Sequence, residues 1–203
     1  AAHGLGGTAE IILDVVSKNC DLSQALMSVP SVPGLSLLPA AQFARVSDLK
    51  AEKLGRVVTA LKASYDYIFI DCPPSLELLT VNALVGADSV LIPMQCEYYA
   101  LEGITDLVTT IKMCNKRLNP RLRIQGIVLT MYDGRTNLAQ QVASELKEFF
   151  KGVVYETVIP RSVRLSEAPS HGKPGVSYDK IGKGSRAYMK LAEEFLRREG
   201  GRN

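Results

Sequence analysis

The sequence is most informative at Tyr65-Asp66-Tyr67-Ile68-Phe69-Ile70-Asp71-Cys72-Pro73-Pro74-Ser75. Residues 68–70 at its centre form a continuous apolar run, which is typical of a parallel strand buried on both faces. Asp71 follows at the carboxyl end of this predicted strand, where open α/β sheets bind their ligands. Pro73 and Pro74 stop further strand pairing because proline has no backbone N–H. From this pattern alone, Asp71 is either a ligand-binding acid or the turn-forming end of a buried strand.

The rest of the chain alternates short apolar runs with segments of helical periodicity. Further strands are predicted at residues 35–39, 89–93, 124–131 and 153–159. Helices are predicted at residues 9–16, 21–27, 48–63, 76–85, 101–118, 138–149 and 183–198. Strands that alternate with helices predict an α/β fold, with a doubly wound, mostly parallel sheet flanked by helices. No linker divides the chain, so we expect a single domain over residues 1–203.

Composition indicates a globular protein of the cytoplasm. The chain is 46% hydrophobic and 22% charged, both ordinary values for a soluble domain. No apolar run approaches the length of a membrane span, and the first residues lack the pattern of a signal peptide. The cysteines are scattered without a CxxC pair, which favours reduced thiols, at Cys20, Cys72, Cys96 and Cys114. The two histidines, His3 and His171, do not suggest a metal cluster.

Basic residues are concentrated at the C-terminal end. Residues 1–150 hold 13 Lys and Arg against 15 Asp and Glu, whereas residues 151–203 hold 11 against 6. This excess favours either an anionic partner or a solvated basic face.

The last predicted helix separates its apolar and basic residues. Its apolar side, expected to face the protein, consists of Tyr188, Leu191, Ala192 and Phe195. Its outward basic side consists of Lys183, Arg186, Lys190 and Arg197. Glu193 and Glu194 flank the basic side, and a pair such as Glu193 with Arg197 would suit a solvated face.

Four longer strings resemble one known family. They are DCPPSLELLTVNAL at residues 71–84, IPMQCEYYALEG at 92–103, LTMYDGRTNL at 129–138 and IPRSVRLSEAPSHGKP at 159–174. Together they resemble the ParA/Soj partitioning ATPases, which belong to the MinD/ParA group of P-loop NTPases. The resemblance covers nearly the whole chain from about Tyr65 onward.

The resemblance implies a site for ATP and Mg²⁺. Asp71 matches the Walker B acid, which implies a catalytic role and a place at the magnesium ion, and Pro73 lies beside it. The ends of two later strands, which surround the adenine in the family, correspond to Thr130, Met131, Pro160 and Arg161. Ordinary strand-to-loop turns are the alternative for these four residues.

The glycine-rich phosphate loop of the family has no match in this sequence. Residues 4–7 are glycine-rich but lack the GxxxxGK[ST] pattern, and no predicted strand precedes them. We therefore expect an N-terminally truncated domain without its first strands, unable to hydrolyse ATP alone. Absent central strands would also leave apolar faces and strand edges exposed.

The resemblance also implies ATP-dependent homodimerisation and non-specific binding to nucleoid DNA. Arg164 and Arg186 match arginines that contact DNA in the family, and Lys173, Lys183 and Lys190 are expected to assist. Such cations bind phosphates without reading bases. A ParB-like partner protein would stimulate hydrolysis and release DNA during chromosome or plasmid partitioning.

Three alternatives remain open. A MinD-like ATPase would bind membranes through a C-terminal amphipathic helix, but residues 195–203 offer few apolar side chains, so we expect no membrane partner. A non-catalytic interaction module of a partition system would keep only partner-binding surfaces. A metabolic P-loop ligase of related fold is disfavoured by the basic C-terminal region.

Overall fold

The computed structural model describes residues 21–39, 51–73 and 78–200. These residues form two compact units. The N-terminal unit contains the described residues up to Asp88 together with residues 110–122, and the C-terminal unit contains residues 89–109 and 123–200. The expected single domain stays a prediction, and the helix predicted at residues 9–16 lies outside the described ranges.

The N-terminal unit pairs a small hairpin with helices. Its elements are α1 (Leu22–Ala25), β1 (Met27–Ser28), β2 (Ser36–Leu37), α2 (Ala51–Leu61) and α3 (Leu78–Gly86). The two strands are antiparallel, with Met27 opposite Leu37. Asp21 begins α1 with a capping box, in which its backbone N–H donates to Gln24 Oε1 at 3.1 Å. Val57 and Leu61 of α2 form the centre of this unit's core.

Helix α3 is held to the rest of its unit at two points. A Cβ added to Gly86 would lie 3.5 Å from the Gly55 Cα, so α2 and α3 approach each other through their glycines. Asn119, 7% exposed, donates from Nδ2 to the carbonyl oxygens of Leu84 and Ala87 at 3.0 and 2.7 Å. These bonds satisfy carbonyl groups that the end of α3 would otherwise leave without partners.

The C-terminal unit is built on a parallel strand pair. Its strands are β3 (Ser89–Gln95) and β4 (Arg123–Thr130). Its helices are the first part of α4 (Ala100–Arg117), α5 (Asn137–Phe149), α6 (Val163–Glu167), a 3₁₀ turn (Ala168–His171), α7 (Gly175–Tyr178) and α8 (Lys183–Gly200). The register runs from Ser89 opposite Arg123 to Gln95 opposite Thr130. This parallel pairing with flanking helices confirms the α/β class.

The core of the C-terminal unit lies between β4 and α8. Val128 of β4, Tyr155 and Ile159 are each at most 2% exposed. Leu191 and Phe195 of α8 pack on them. In the described part of the chain, no helix is long and apolar enough to cross a membrane.

The predicted strand at residues 68–70 is wrong for the described structure. These residues belong to neither of the two described sheets, and the Phe69 side chain is 72% exposed. A strand buried on both faces requires pairing and a packed layer on each side. The apolar run alone therefore does not produce the strand here.

The predicted strand at residues 153–159 is interrupted. Val154 and Pro160 make isolated parallel bridges to Ile127 and Tyr132. Between them, residues 156–158 leave the sheet, and we call these three residues the excursion. The backbone N–H groups of Glu156 and Thr157 donate to the carboxylate of Glu194. A side chain on α8 thus replaces the sheet as their partner.

The predicted faces of the last helix need correction. Tyr188 is 42% exposed and Ala192 is also exposed, whereas Glu194 is 3% exposed. Arg198, not Arg197, makes the close ion pair within the helix, because Glu194 reaches it at 2.7 Å. Arg197 lies 4.0 Å from Glu156 instead. The buried acid was not foreseen because periodicity places charged residues outside.

Candidate functional site

The carboxyl end of β4 lies beside a second backbone segment. We call residues 130–132 and 159–161 together the β4 edge. Ile159 N–H donates to the Leu129 carbonyl at 2.8 Å, and Tyr132 N–H donates to the Ile159 carbonyl at 3.0 Å. Arg161 N–H then donates to the Tyr132 carbonyl at 3.1 Å. The structure therefore brings together the segments that contain Thr130, Met131, Pro160 and Arg161, and their role at a nucleotide stays a prediction.

Met131 turns the chain sharply at the β4 edge. Its φ of 49° lies in the left-handed region, and it is the one non-glycine residue with positive φ in the described ranges. This conformation costs a side-chain-bearing residue about 1–2 kcal/mol. The Met131 side chain is 44% exposed, and Thr130 Oγ1 donates to the Met94 carbonyl at 3.3 Å. Backbone strain of this kind is frequent at functional sites.

The loop that follows carries an ion pair that sequence reasoning missed. Asp133 accepts from the Arg135 backbone N–H at 3.1 Å and from its guanidinium at 2.8 and 2.7 Å. These bonds, led by the side-chain bond and helped by the charge of Arg161, lower the pKa of Asp133 to about 2. Thr136 caps α5 by accepting from Ala139 N–H at 3.3 Å. The string DGRT would have signalled this turn through its Asp and Gly.

Asp71 and Pro73 belong to the N-terminal unit. Both residues are exposed, and the segment before them is not a described strand. The six residues of the β4 edge lie in the C-terminal unit. The assignment of Asp71 to catalysis and magnesium therefore stays a prediction from the family motif.

The predicted DNA-binding residues are all solvent-exposed. We call Arg164, Lys173, Lys183, Arg186 and Lys190 the basic surface. Helices α6, α7 and α8 meet around Leu165, whose side chain contacts Gly184 at the start of α8 and also Gly175 of α7. Ser185 Oγ donates to the Gly175 carbonyl at 3.0 Å and fastens the same junction. Arg164 therefore lies on a helix packed against the one that carries Lys183 and Arg186.

Arg164 has an acidic neighbour that was not predicted. Its guanidinium lies 3.2 Å from Glu167 Oε2, and Tyr178 OH donates to the same oxygen at 3.4 Å. The hydrogen bond to Tyr178 and the nearby Glu167 carboxylate raise the pKa of Arg164. The spacing of three residues within a helix was the available signal for this pair. Glu167 offsets part of the charge that the basic surface would offer to an anion.

The fold has well-defined relatives among solved structures. The cell division ATPase MinD of Pyrococcus furiosus is 27% identical with a TM-score of 0.79, covering 96% of this chain and 78% of that one. Cobyrinic acid a,c-diamide synthase from Mycobacterium smegmatis, with bound ADP and magnesium, is 29% identical with a TM-score of 0.75, covering 95% of this chain and 74% of that one. The fold is that of the P-loop NTPases.

Sequence comparison then identifies the family. A family model described as an AAA domain matches residues 8–124. The sporulation initiation inhibitor protein Soj of Bacillus subtilis is 46% identical over 205 residues, which is 96% of this chain and 81% of Soj. The chromosome partitioning protein ParA of Caulobacter vibrioides (strain NA1000 / CB15N) is 45% identical over 209 residues, which is 97% of this chain and 77% of ParA. The chain belongs to the ParA/Soj family of partitioning ATPases.

Proposed function

We propose that this chain acts in the partitioning of chromosome or plasmid DNA by binding DNA non-specifically through its basic surface. The observation that carries this proposal is that all five cations are exposed and that the helix of Arg164 packs against the helix of Lys183, Arg186 and Lys190 in the C-terminal unit. Guanidinium and ammonium groups release counterions when they bind phosphates, which gives affinity without base specificity. In the cell the chain would then be associated with the nucleoid in the cytoplasm.

The proposed nucleotide ligand is ATP with Mg²⁺. The structural neighbour with bound ADP and magnesium supports nucleotide binding in this fold class. The exposed Met131 thioether and the ring of Pro160 suit the apolar face of a base, and the exposed Arg161 suits a polyanion. An Asp71 carboxylate is a suitable oxygen ligand for magnesium. When bound, magnesium would neutralise charge on the phosphates. The chain with bound ATP would then form a homodimer, and a ParB-like partner protein would act on that dimer.

DNA binding is tested by fluorescence anisotropy with a short labelled duplex at several salt concentrations. In the double variant Arg164→Ala with Arg186→Ala, the slope of log affinity against log salt should become shallower by about two. Each phosphate contact contributes about 0.9 to this slope. Lys147→Ala removes an exposed cation of α5, outside the basic surface, and is the matched control. Equal slopes for the wild type and the double variant would contradict the proposal.

A second measurement distinguishes DNA binding from membrane binding. Sedimentation with vesicles of anionic lipid should leave the chain in the supernatant under the salt conditions in which DNA binds. Retention on the vesicles would favour a MinD-like role instead. Duplexes of unrelated sequence should bind with equal affinity, because phosphate contacts carry no sequence information.

A further inference from the structure

A buried carboxylate on α8 holds the backbone excursion before the β4 edge. Glu194 is 3% exposed. Its Oε1 accepts from the N–H of Glu156 at 2.9 Å, and its Oε2 accepts from the N–H of Thr157 at 2.8 Å. Hydrogen bonds to an ionised acceptor are about twice as strong as neutral ones. The two amides therefore have a strong partner outside the sheet.

Arg198 completes this arrangement from the next turn of α8. Its guanidinium lies 2.7 Å from Glu194 Oε1 and donates to the carbonyls of Val153 and Val154 at 3.3 and 3.0 Å. It also lies over the Tyr155 ring, 4.0 Å from the ring centroid. Glu194 and Arg198 thus hold residues 153–157 through two backbone carbonyls, one aromatic ring and two backbone amides. The buried acid is paired, as buried charges must be.

The excursion at residues 156–158 separates two stretches that pair with β4. Before it, Tyr155 N–H donates to the Ile127 carbonyl at 2.8 Å, and after it, Ile159 N–H donates to the Leu129 carbonyl at 2.8 Å. The path of residues 156–158 between these points decides which residues of the second stretch reach the end of β4. A slip by one residue would move Pro160 and Arg161 out of their places at the β4 edge.

We infer that Glu194 is a positioning residue for the β4 edge, linking that edge to the helix that carries Lys183, Arg186 and Lys190. One helix then carries Lys183, Arg186 and Lys190 of the basic surface and, near its end, holds the backbone of residues 153–157 that leads into the β4 edge. The nucleotide at this edge and the DNA at that surface are those of the proposed function, on which this part of the inference rests. The link itself concerns only backbone geometry in the C-terminal unit.

Amide hydrogen exchange tests the link without any ligand. Glu194→Gln keeps the side-chain shape but removes the charge and one accepting oxygen, and Glu193→Gln changes the exposed neighbouring acid as the matched control. We expect exchange about tenfold faster at Glu156 and Thr157, and also at Tyr132 and Arg161, in Glu194→Gln alone. Amides of Ile127 and Tyr155, on the other side of the excursion, should keep their wild-type rates.

A purely local or global role would give different patterns. Faster exchange confined to Glu156 and Thr157 would overturn the inference, as would equal acceleration along all of β4. If Glu194→Gln does not fold, Glu194→Asp is used instead, because it retains the charge and withdraws the oxygens by one methylene. Exchange rates at the same amides then test the inference.

A ligand measurement separates this inference from the proposed function. Titration with a fluorescent ATP analogue and Mg²⁺ should show affinity about tenfold weaker for Glu194→Gln than for Glu193→Gln. Wild-type affinity for both acid variants would overturn the role at the nucleotide. A wild-type chain that binds no nucleotide contradicts the proposed ligand, and the exchange pattern still decides whether Glu194 positions the edge.

Discussion

The ring of Tyr155 lies directly against the backbone of Gly126 in β4. A Cβ added at position 126 would lie 2.7 Å from Cδ2 of that ring and 3.0 Å from the Val153 carbonyl oxygen. Tyr155 is fully buried and its hydroxyl donates to Gln125 Oε1 at 2.5 Å, so the ring has no free direction in which to move. The absence of a side chain at Gly126 is what allows the segment at residues 153–155 to pair with β4.

Gly126→Ala should therefore destabilise the protein by about 1–3 kcal/mol, because overpacking forces the ring or the backbone to shift. Gly103→Ala is the control, since a Cβ there meets no atom within 4 Å and lies in a helix. That change should stabilise by about 0.5–1 kcal/mol. Urea denaturation measures both, and equal stability of Gly126→Ala and the wild type would refute the steric explanation.

Asn119→Asp should destabilise the N-terminal unit by about 2 kcal/mol near neutral pH. The substitution keeps the shape but replaces the Nδ2 donor with an oxygen facing the carbonyls of Leu84 and Ala87. Asn137→Asp, exposed in the first turn of α5, is the matched control and should be neutral or slightly stabilising. Thermal melts that rank the two variants in the opposite order would count against this capping role.

The contribution of Glu194 to stability should depend on pH. Burial alone raises the pKa of this carboxyl, but the N–H bonds from Glu156 and Thr157 and the charge of Arg198 outweigh it, so the pKa is lowered from 4.5. Because the folded pKa is below the unfolded one, the stabilisation is complete above about pH 5 and is lost as pH falls through the folded pKa.

Denaturation curves across this pH range test the contribution. Glu194→Gln should lose about 2 kcal/mol or more near neutral pH, and the difference from the wild type should shrink in acid. A difference that stays constant with pH would show that the charge is not responsible. Glu193→Gln, which changes the exposed neighbouring acid, is the matched control.

Glu167→Gln should strengthen DNA binding. The substitution removes the carboxylate that lies 3.2 Å from Arg164, and it raises the net positive charge of the basic surface by one. We expect roughly threefold tighter binding at low salt, with the gain disappearing as salt screens the surface. Glu148→Gln changes an exposed acid on α5 and serves as the control in the same anisotropy assay. Weaker binding by Glu167→Gln would mean that Glu167 orients Arg164 for its phosphate.

The chain of 203 residues should show no ATP turnover by itself, since its sequence contains no GxxxxGK[ST] loop to hold the phosphates. A coupled assay with purified chain and Mg²⁺ measures this, with Asp71→Ala as the comparison. Turnover in the wild type that disappears in Asp71→Ala would overturn the prediction and would confirm Asp71 as a catalytic residue.

The class of fold and most of its elements can be predicted from the amino-acid pattern. The periodic apolar residues of α2, α4 and α5 and the apolar runs of β3 and β4 predict these elements to within a few residues. The strings at residues 129–138 and 159–174 also pointed to the two segments that meet at the β4 edge. These features are local, because periodicity and turn residues act over a few neighbours in the chain.

The folded structure was needed to show which groups bond to each other across long separations in the chain. It made Glu194 a buried acceptor for amides that lie 38 and 37 residues away, where helical periodicity predicted a solvent-facing acid. It also left residues 68–70 without a described strand, although their apolar run is typical of one. The physical reason is the same in both cases: a charge is stable inside, and a strand forms, only when a distant segment supplies the matching hydrogen bonds.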